Sequence, residues 1–105
     1  MVLDNLSKGH RSAVPAGAEF CEGDIGDTEL VGKLLHDHEV DSVIHFAAMS
    51  LVGESMEMPA SYYDNNVVRA SRLLSAMSAA GVEKIVFSSS AGVYGEPPTV
   101  PIPET

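Results

Sequence analysis

The sequence is poor in cysteine, in basic residues and in long apolar stretches, and each shortage excludes a class of protein. Cys21 is the only cysteine, so no intrachain disulfide or cysteine-based metal cluster can form, and we expect the reducing cytoplasm. Six Lys and Arg against fifteen Asp and Glu give a formal charge of -9. Because no segment concentrates the basic residues, we expect no nucleic-acid partner.

No segment approaches the ~20 apolar residues that a membrane span needs. The first residues also lack the basic and then apolar order of a targeting signal. We therefore expect a soluble protein without a membrane partner. Hydrophobic residues make up 45% of the 105 residues and charged residues 20%, which is the composition of an ordinary folded chain. The length fits one domain with a modest core, and we predict a single domain over residues 1–105.

Short, continuous apolar runs predict strands that are covered on both faces, as in a parallel sheet. They occupy residues 2–3, 18–21, 42–48 and 84–88, of which residues 18–21 are the weakest. Ligands of a doubly wound parallel sheet gather beyond the carboxyl ends of its strands. The residues after each run are therefore the candidate functional residues.

Two helical patterns separate these runs. The first is an apolar face of Leu30, Val31, Leu34 and Leu35. Asp27 precedes this face and can cap the helix. The second is an apolar stripe of Val67, Ala70, Leu74 and Met77, which Leu73 and Ala80 widen, and Gly81 follows where it can end the helix. The alternation of strands and helices predicts an α/β fold with a doubly wound parallel sheet.

Two acids follow the first two strands. An acid in the position of Asp4 can accept hydrogen bonds from the ribose hydroxyls of a dinucleotide, and its charge disfavours a 2′-phosphate. Asp24 can accept from an adenine amino group while Ile25 packs against the ring. Each carboxylate can equally be a simple turn residue, because Asp often begins turns.

Small and hydroxylated side chains follow the other two strands. Ala47 and Ala48 would let the backbone approach a cofactor closely. His45 has no second ligand three or four residues away, so we expect a packed strand residue and no metal site. Ser90 can both donate to and accept from a substrate hydroxyl, although a serine cluster is usually a turn.

Taken in order, these segments resemble the extended short-chain dehydrogenase family and, within it, the nucleotide-sugar 4-epimerases. The resemblance covers nearly the whole chain. It is carried by residues 3–6 (LDNL), 23–25 (GDI), 45–48 (HFAA), 52–55 (VGES), 59 (P), 62–67 (YYDNNV) and 87–95 (FSSSAGVYG).

The resemblance implies NAD as cofactor and a partial Rossmann-like doubly wound sheet. It implies adenosine contacts from Asp4, Asn5, Leu6, Ser7, Lys8, Gly9, Asp24 and Ile25. It implies contacts on the pyrophosphate and nicotinamide side from Phe46, Ala47, Ala48, Met49, Ser50 and Asn65. Ser90 matches the catalytic serine, which touches both the cofactor and a UDP-sugar substrate.

In such enzymes the serine hydrogen-bonds the sugar 4-hydroxyl while a tyrosine removes its proton, and a 4-keto sugar forms between UDP-galactose and UDP-glucose. Sugar 4,6-dehydratases typically carry an Asp-Glu pair where this chain has Ala91 and Gly92, which favours epimerisation. Epimerases commonly have Thr at the position of Gly92, so a hydroxyl near Ser90 is lost. Family members often pair through helices, which implies a homodimer of the full-length parent.

The family's glycine-rich phosphate turn, Tyr-x-x-x-Lys pair and substrate domain have no match here. The resemblance therefore implies an internal fragment that lacks the first, central strand of the sheet. We expect this fragment by itself to be inactive. We also expect it to bind NAD poorly, to fold incompletely or to self-associate through unpaired strand edges. Two alternatives stay open. One is another NAD-dependent nucleotide-sugar epimerase or decarboxylase, and the other is a non-catalytic dinucleotide-binding or interaction domain.

Overall fold

The computed structural model describes residues 1–90, 95–96 and 98–104, in which strands and helices alternate as predicted. The elements are β1 Val2–Asp4, β2 Phe20–Glu22, α1 Thr28–Asp37, β3 Ser42–His45, α2 Val52–Glu57, α3 Pro59–Tyr63, α4 Ala70–Ala80 and β4 Lys84–Phe87. A 3-10 turn, Arg11–Ala13, follows β1, and a π-helical turn, Asp64–Arg69, joins α3 to α4. The four predicted strands and two main helices are confirmed, whereas α2 and α3 were not predicted.

Three strands are shorter than their apolar runs, and for β2 and β3 a local hydrogen bond explains the difference. The backbone N–H of Ala18 donates to the Pro15 carbonyl at 3.0 Å, so a turn occupies the start of the second run. The backbone N–H of Ala47 donates to Nδ1 of His45 at 3.2 Å. The chain therefore leaves the sheet after His45, and residues 46–48 form a loop.

The strands form two parallel pairs. In one pair β1 lies beside β2, with Val2 opposite Phe20 and Asp4 opposite Glu22. In the other pair β3 lies beside β4, with Ser42 opposite Lys84. Within the described residues β1 and β3 do not pair with each other. The doubly wound strand order places a further strand between them, so the structure agrees with the predicted partial sheet.

The hydrophobic core lies between α1 and α4. Its buried residues are Val31, Leu35, Leu73, Ala76, Met77 and Val82. The two predicted helix ends are confirmed: the Asp27 side chain accepts from the backbone N–H of Leu30 at 3.1 Å, and Gly81 ends α4 with φ of 74°. That positive φ is reached by glycine without the steric penalty that other residues incur.

The apolar stripe that the sequence predicts as the buried face of the second helix is only partly buried. Leu73 and Met77 are buried as expected, but Val67 in the π-helical turn and Leu74 on α4 are about half exposed. The helix α1 packs on the side of α4 that carries Leu73 and Ala76. The side chains of Val67 and Leu74 are therefore left uncovered. Among the described residues, no helix has both the length and the apolar character needed to cross a membrane.

Candidate functional site

A cavity of about 820 Å³ lies along β1 and β3 and beneath the loops that follow β1, β2 and β3. Twelve of the fifteen residues that the sequence predicts as cofactor or substrate contacts line this cavity. These are Asp4, Asn5, Ser7, Lys8, Gly9, Asp24, Ile25, Phe46, Ala47, Ala48, Met49 and Asn65. The sheet topology therefore brings three separate loops to one rim.

Three nominated residues do not line this cavity. Ser50 lines a smaller neighbouring cavity of about 190 Å³, together with Lys8 and Met49. Leu6 lines neither cavity, and its backbone has a φ of 59°, a left-handed conformation that costs a leucine about 1–3 kcal/mol. Ser90 is exposed beyond the end of β4. The predicted roles of all fifteen residues stay predictions, and Ala91 and Gly92 lie outside the described residues.

The carboxylate of Asp4 both shapes its loop and faces the cavity. Oδ1 accepts from the backbone N–H of Leu6 at 2.8 Å, so the turn interpretation of Asp4 is correct as far as it goes. Oδ2 lies against Gly9, where an added Cβ would come within 2.4 Å of it. Real Cβ atoms do not approach oxygen so closely, so only glycine leaves this carboxylate in place.

Asp24 is held from three directions. Its Oδ1 accepts from the backbone N–H of Gly26 at 2.7 Å. Its Oδ2 accepts from Nδ2 of Asn5 at 3.3 Å and from Nη1 of Arg69. A carboxylate offers about four acceptor positions, so these three bonds leave capacity for one further donor. The turn interpretation is again correct and does not exclude a ligand.

Arg69 is the residue of this site that sequence reasoning missed. Its Nε donates to Oδ2 of Asp64 at 2.8 Å while Nη1 donates to Asp24. The hydrogen bond to Asp64 and the charges of both acids raise the pKa of Arg69, against a lowering by partial burial. Asp64 and Arg69 are five residues apart, a spacing that meets in a π-helical turn but not in an α-helix.

The π-helical turn and Tyr62 of α3 together fix the loop after β3. Asn65 is buried and donates through Nδ2 to the Ala47 carbonyl at 3.0 Å and to Oδ1 of Asn66 at 2.9 Å. The hydroxyl of Tyr62 accepts from the backbone N–H of Leu51 at 3.2 Å. The sequence predicts Asn65 as a cofactor contact. In the structure its amide holds the loop of residues 46–50, which carries other predicted cofactor contacts.

His45 is a packed residue, as predicted. The residue is only 5% exposed, and its ring lies 5.5 Å, centroid to centroid, from the ring of Phe87. Nδ1 accepts from Ala47, whereas Nε2 is buried without a hydrogen-bond partner among the described residues. Burial lowers the pKa of His45, because a charged imidazolium loses its hydration in this packed position.

Comparisons with known proteins agree with this arrangement. The family model described as GDP-mannose 4,6 dehydratase matches residues 2–105. A UDP-glucose 4-epimerase of Lactobacillus helveticus is 55% identical over 99% of this chain and 32% of that protein. A protein of the same name from Klebsiella pneumoniae is 46% identical and is covered to 81% of its length. The chain spans about a third of the length of the first curated relatives that it matches.

Solved structures show the same relationship. The UDP-glucose 4-epimerase of Brucella ovis in complex with NAD superposes with a TM-score of 0.82 at 46% identity, over 97% of this chain and 31% of that one. That of Bifidobacterium longum, in complex with NAD+ and UDP, gives 0.80 at 38% identity, over 97% and 32%. The chain therefore belongs to the family described as GDP-mannose 4,6 dehydratase, in the branch whose members are named UDP-glucose 4-epimerase.

Proposed function

We propose that this chain forms the adenosine side and part of the nicotinamide side of the NAD site in a UDP-glucose 4-epimerase. The carrying observation is that the loops after β1, β2 and β3 bring Asp4, Gly9, Asp24, Ala47 and Met49 to the rim of one cavity, whose inner part between β1 and β3 is the place of the further strand. Relatives of this name are bound to NAD in solved structures. When bound, NAD would take the hydride of the sugar carbon and return it to the other face.

The side chains present fit the adenosine part of NAD. Ribose hydroxyls are donors, and Asp4 offers a carboxylate oxygen beside a glycine that has no side chain to obstruct it. Its negative charge would repel the 2′-phosphate of NADP, so the site favours NAD. Asp24 retains acceptor capacity for an adenine amino group, and Ile25 lines the same cavity as an apolar surface for the ring.

The loop of residues 46–50 would lie beside the pyrophosphate and nicotinamide. Ala47 and Ala48 carry only methyl groups, which lets the backbone come close to a ligand. Asn65 fixes the Ala47 carbonyl, so this loop is pre-organised before a ligand arrives. Ser90, after β4, would orient the sugar 4-hydroxyl by hydrogen bonding, while the proton acceptor would come from a tyrosine outside residues 1–105.

The experiment uses the complete protein encoded by the gene from which this segment comes. Purified protein should contain or bind NAD and convert UDP-galactose to UDP-glucose. Ser90→Ala should fold normally and lose about 10²- to 10⁴-fold in kcat, the usual range for loss of a positioned proton-handling group. A folded complete protein that binds no dinucleotide and shows no conversion would disprove the assignment. Conversion of a different sugar nucleotide would instead favour the neighbouring epimerase or decarboxylase interpretation.

We further propose that the complete protein works as a homodimer in the cytoplasm. The half-exposed Val67 in the π-helical turn and Leu74 on α4 support pairing, because they are apolar side chains that no described element covers. The single cysteine is compatible with a reducing compartment. Light scattering of the complete protein at several concentrations tests the dimer, and Leu74→Glu should shift it to a monomer.

A further inference from the structure

Arg69 joins two acidic side chains that come from different parts of the fold. Asp24 follows β2, whereas Asp64 begins the π-helical turn that Arg69 ends. Gly26 makes room for this bridge, since a Cβ there would lie 3.0 Å from Cγ of Arg69 and 3.0 Å from Oδ1 of Asp24. The guanidinium therefore lies tightly between the Asp24 turn and the helix.

The bridge restricts how the Asp24 carboxylate can rotate. A guanidinium is planar and rigid, so the bond from Nε to Asp64 sets the direction in which Nη1 points at Asp24. The backbone N–H of Gly26 holds the other carboxylate oxygen at 2.7 Å. With both oxygens fixed, the unused lone pair of Asp24 has a defined direction.

We propose that Arg69 is a positioning residue that orients the Asp24 carboxylate to accept a hydrogen bond from the adenine amino group of NAD. This inference rests on the proposed function, because it assumes that adenine lies against Asp24 and Ile25. Arg69 does not itself need to touch the cofactor. Its side chain is about one-third exposed, and surface ion pairs of this kind add little to stability, so orientation is the contribution that its loss would remove.

The test compares NAD with nicotinamide hypoxanthine dinucleotide, which carries an oxygen in place of the adenine amino group. Both Kd values are measured by calorimetry on the complete protein. The wild type should prefer NAD. Arg69→Ala should weaken NAD binding about tenfold, as for one hydrogen bond to a charged group, and should change binding of the analogue by less than about twofold. Arg69→Lys keeps the charge without the rigid fork and should weaken NAD only about threefold.

Arg72→Ala is the matched control, because Arg72 is an exposed arginine on α4 that makes no ion pair among the described residues. It removes the same charge and should leave both Kd values unchanged. If Arg69→Ala weakens both dinucleotides equally, or neither, Arg69 does not position Asp24. If Arg69→Ala fails to fold, Asp64→Ala removes the outer anchor alone, and an unchanged preference for NAD would then refute the inference. A wild type that binds neither dinucleotide refutes the proposed function itself.

Discussion

Asn66 holds the backbone of Met49 with both ends of its side-chain amide. Oδ1 of Asn66 accepts from the Met49 N–H at 2.8 Å, and Nδ2 donates to the Met49 carbonyl at 2.9 Å. Asn66, which lies in the π-helical turn, thus makes the two backbone hydrogen bonds that a neighbouring strand would make with Met49 in a sheet. The loop after β3 is irregular in shape, yet the backbone N–H and carbonyl of Met49 are both paired, which fixes its path at this residue.

Replacing Asn66 should loosen this loop. Asn66→Ala removes two hydrogen bonds to partly buried backbone groups, and each loss costs about 1–3 kcal/mol when the partner is left unpaired. We expect the free energy of unfolding of the complete protein to fall by about 2–4 kcal/mol in urea denaturation. Ser78→Ala, an exposed position on α4, should change it by less than about 0.5 kcal/mol. Equal effects of the two substitutions would show that the amide contributes nothing to the loop.

A second prediction concerns the close approach of Gly9 to Asp4. In Gly9→Ala the new Cβ would lie 2.4 Å from Oδ2 of Asp4, so the carboxylate must move. If Asp4 binds the ribose, NAD binding by the complete protein should weaken about tenfold, the usual effect of losing one hydrogen bond to a charged group.

The matched control for this substitution is Gly17→Ala. Gly17 lies in the loop before β2, and an added Cβ there meets no atom within 4 Å. Isothermal titration calorimetry should give the same NAD affinity for Gly17→Ala and the wild type. An unchanged affinity in Gly9→Ala would mean that the Asp4 carboxylate does not contact the cofactor.

Strand positions and the two main helices could be predicted because their signals are local. Continuous apolar runs marked the strands, and a capping Asp27 and a terminating Gly81 marked the helix ends. The common rim could be predicted as well, since parallel strands bring their carboxyl ends to one side. Asp4, Asp24 and Ala47 accordingly line one cavity.

The connections that hold this rim could not be predicted from the sequence. Arg69 meets Asp24 across 45 residues of chain, and neither periodicity nor composition encodes that pairing. An apolar stripe in the sequence also does not reveal a π-helical turn. Such a turn rotates the helix face on which the residues after it lie. This rotation is one reason that Val67 and Leu74 are half exposed, although Leu73 and Met77 of the same predicted stripe are buried.

The unpaired Nε2 of His45 predicts a pH effect on stability. Burial lowers the pKa of His45 in the folded state below its ordinary value of 6.5. The unfolded chain then binds more protons as the pH falls, so the contribution is full above about pH 6.5 and is lost as the pH drops towards the lowered folded pKa. The slope cannot exceed about 1.4 kcal/mol per pH unit for one proton.

His45→Gln tests this effect, because its amide oxygen can still accept from Ala47 but does not titrate. Urea denaturation of the complete protein between pH 7.5 and 5.5 should show a smaller acid-induced loss of stability in this variant. Carboxylates affect both proteins alike, so the difference between the two curves is the quantity to measure. His10→Gln, which removes an exposed imidazole, should follow the wild type. Parallel curves for His45→Gln would rule out a role of this ring in acid sensitivity.

The β3 and β4 pair presents apolar side chains to solvent. Ile44 and Val86 are each 62% exposed and Phe87 is 59% exposed, whereas strands of a doubly wound sheet are normally covered on both faces. The unpaired edges of β1 and β3 add backbone groups that can recruit another chain. We expect the 105-residue chain by itself to associate as its concentration rises, and to bind NAD more weakly than the complete protein.

Ile44→Lys distinguishes this surface from a general tendency to aggregate. In the isolated chain it should reduce association, measured by light scattering, because a charge interrupts the apolar face. In the complete protein, where a covered sheet would bury this position, the same substitution should destabilise by about 3–5 kcal/mol. Val100→Lys, at an 87% exposed loop position, should do neither. A monomeric isolated chain with one cooperative melt and tight NAD binding would contradict the expectation, because such a chain would need no further strand to complete its site.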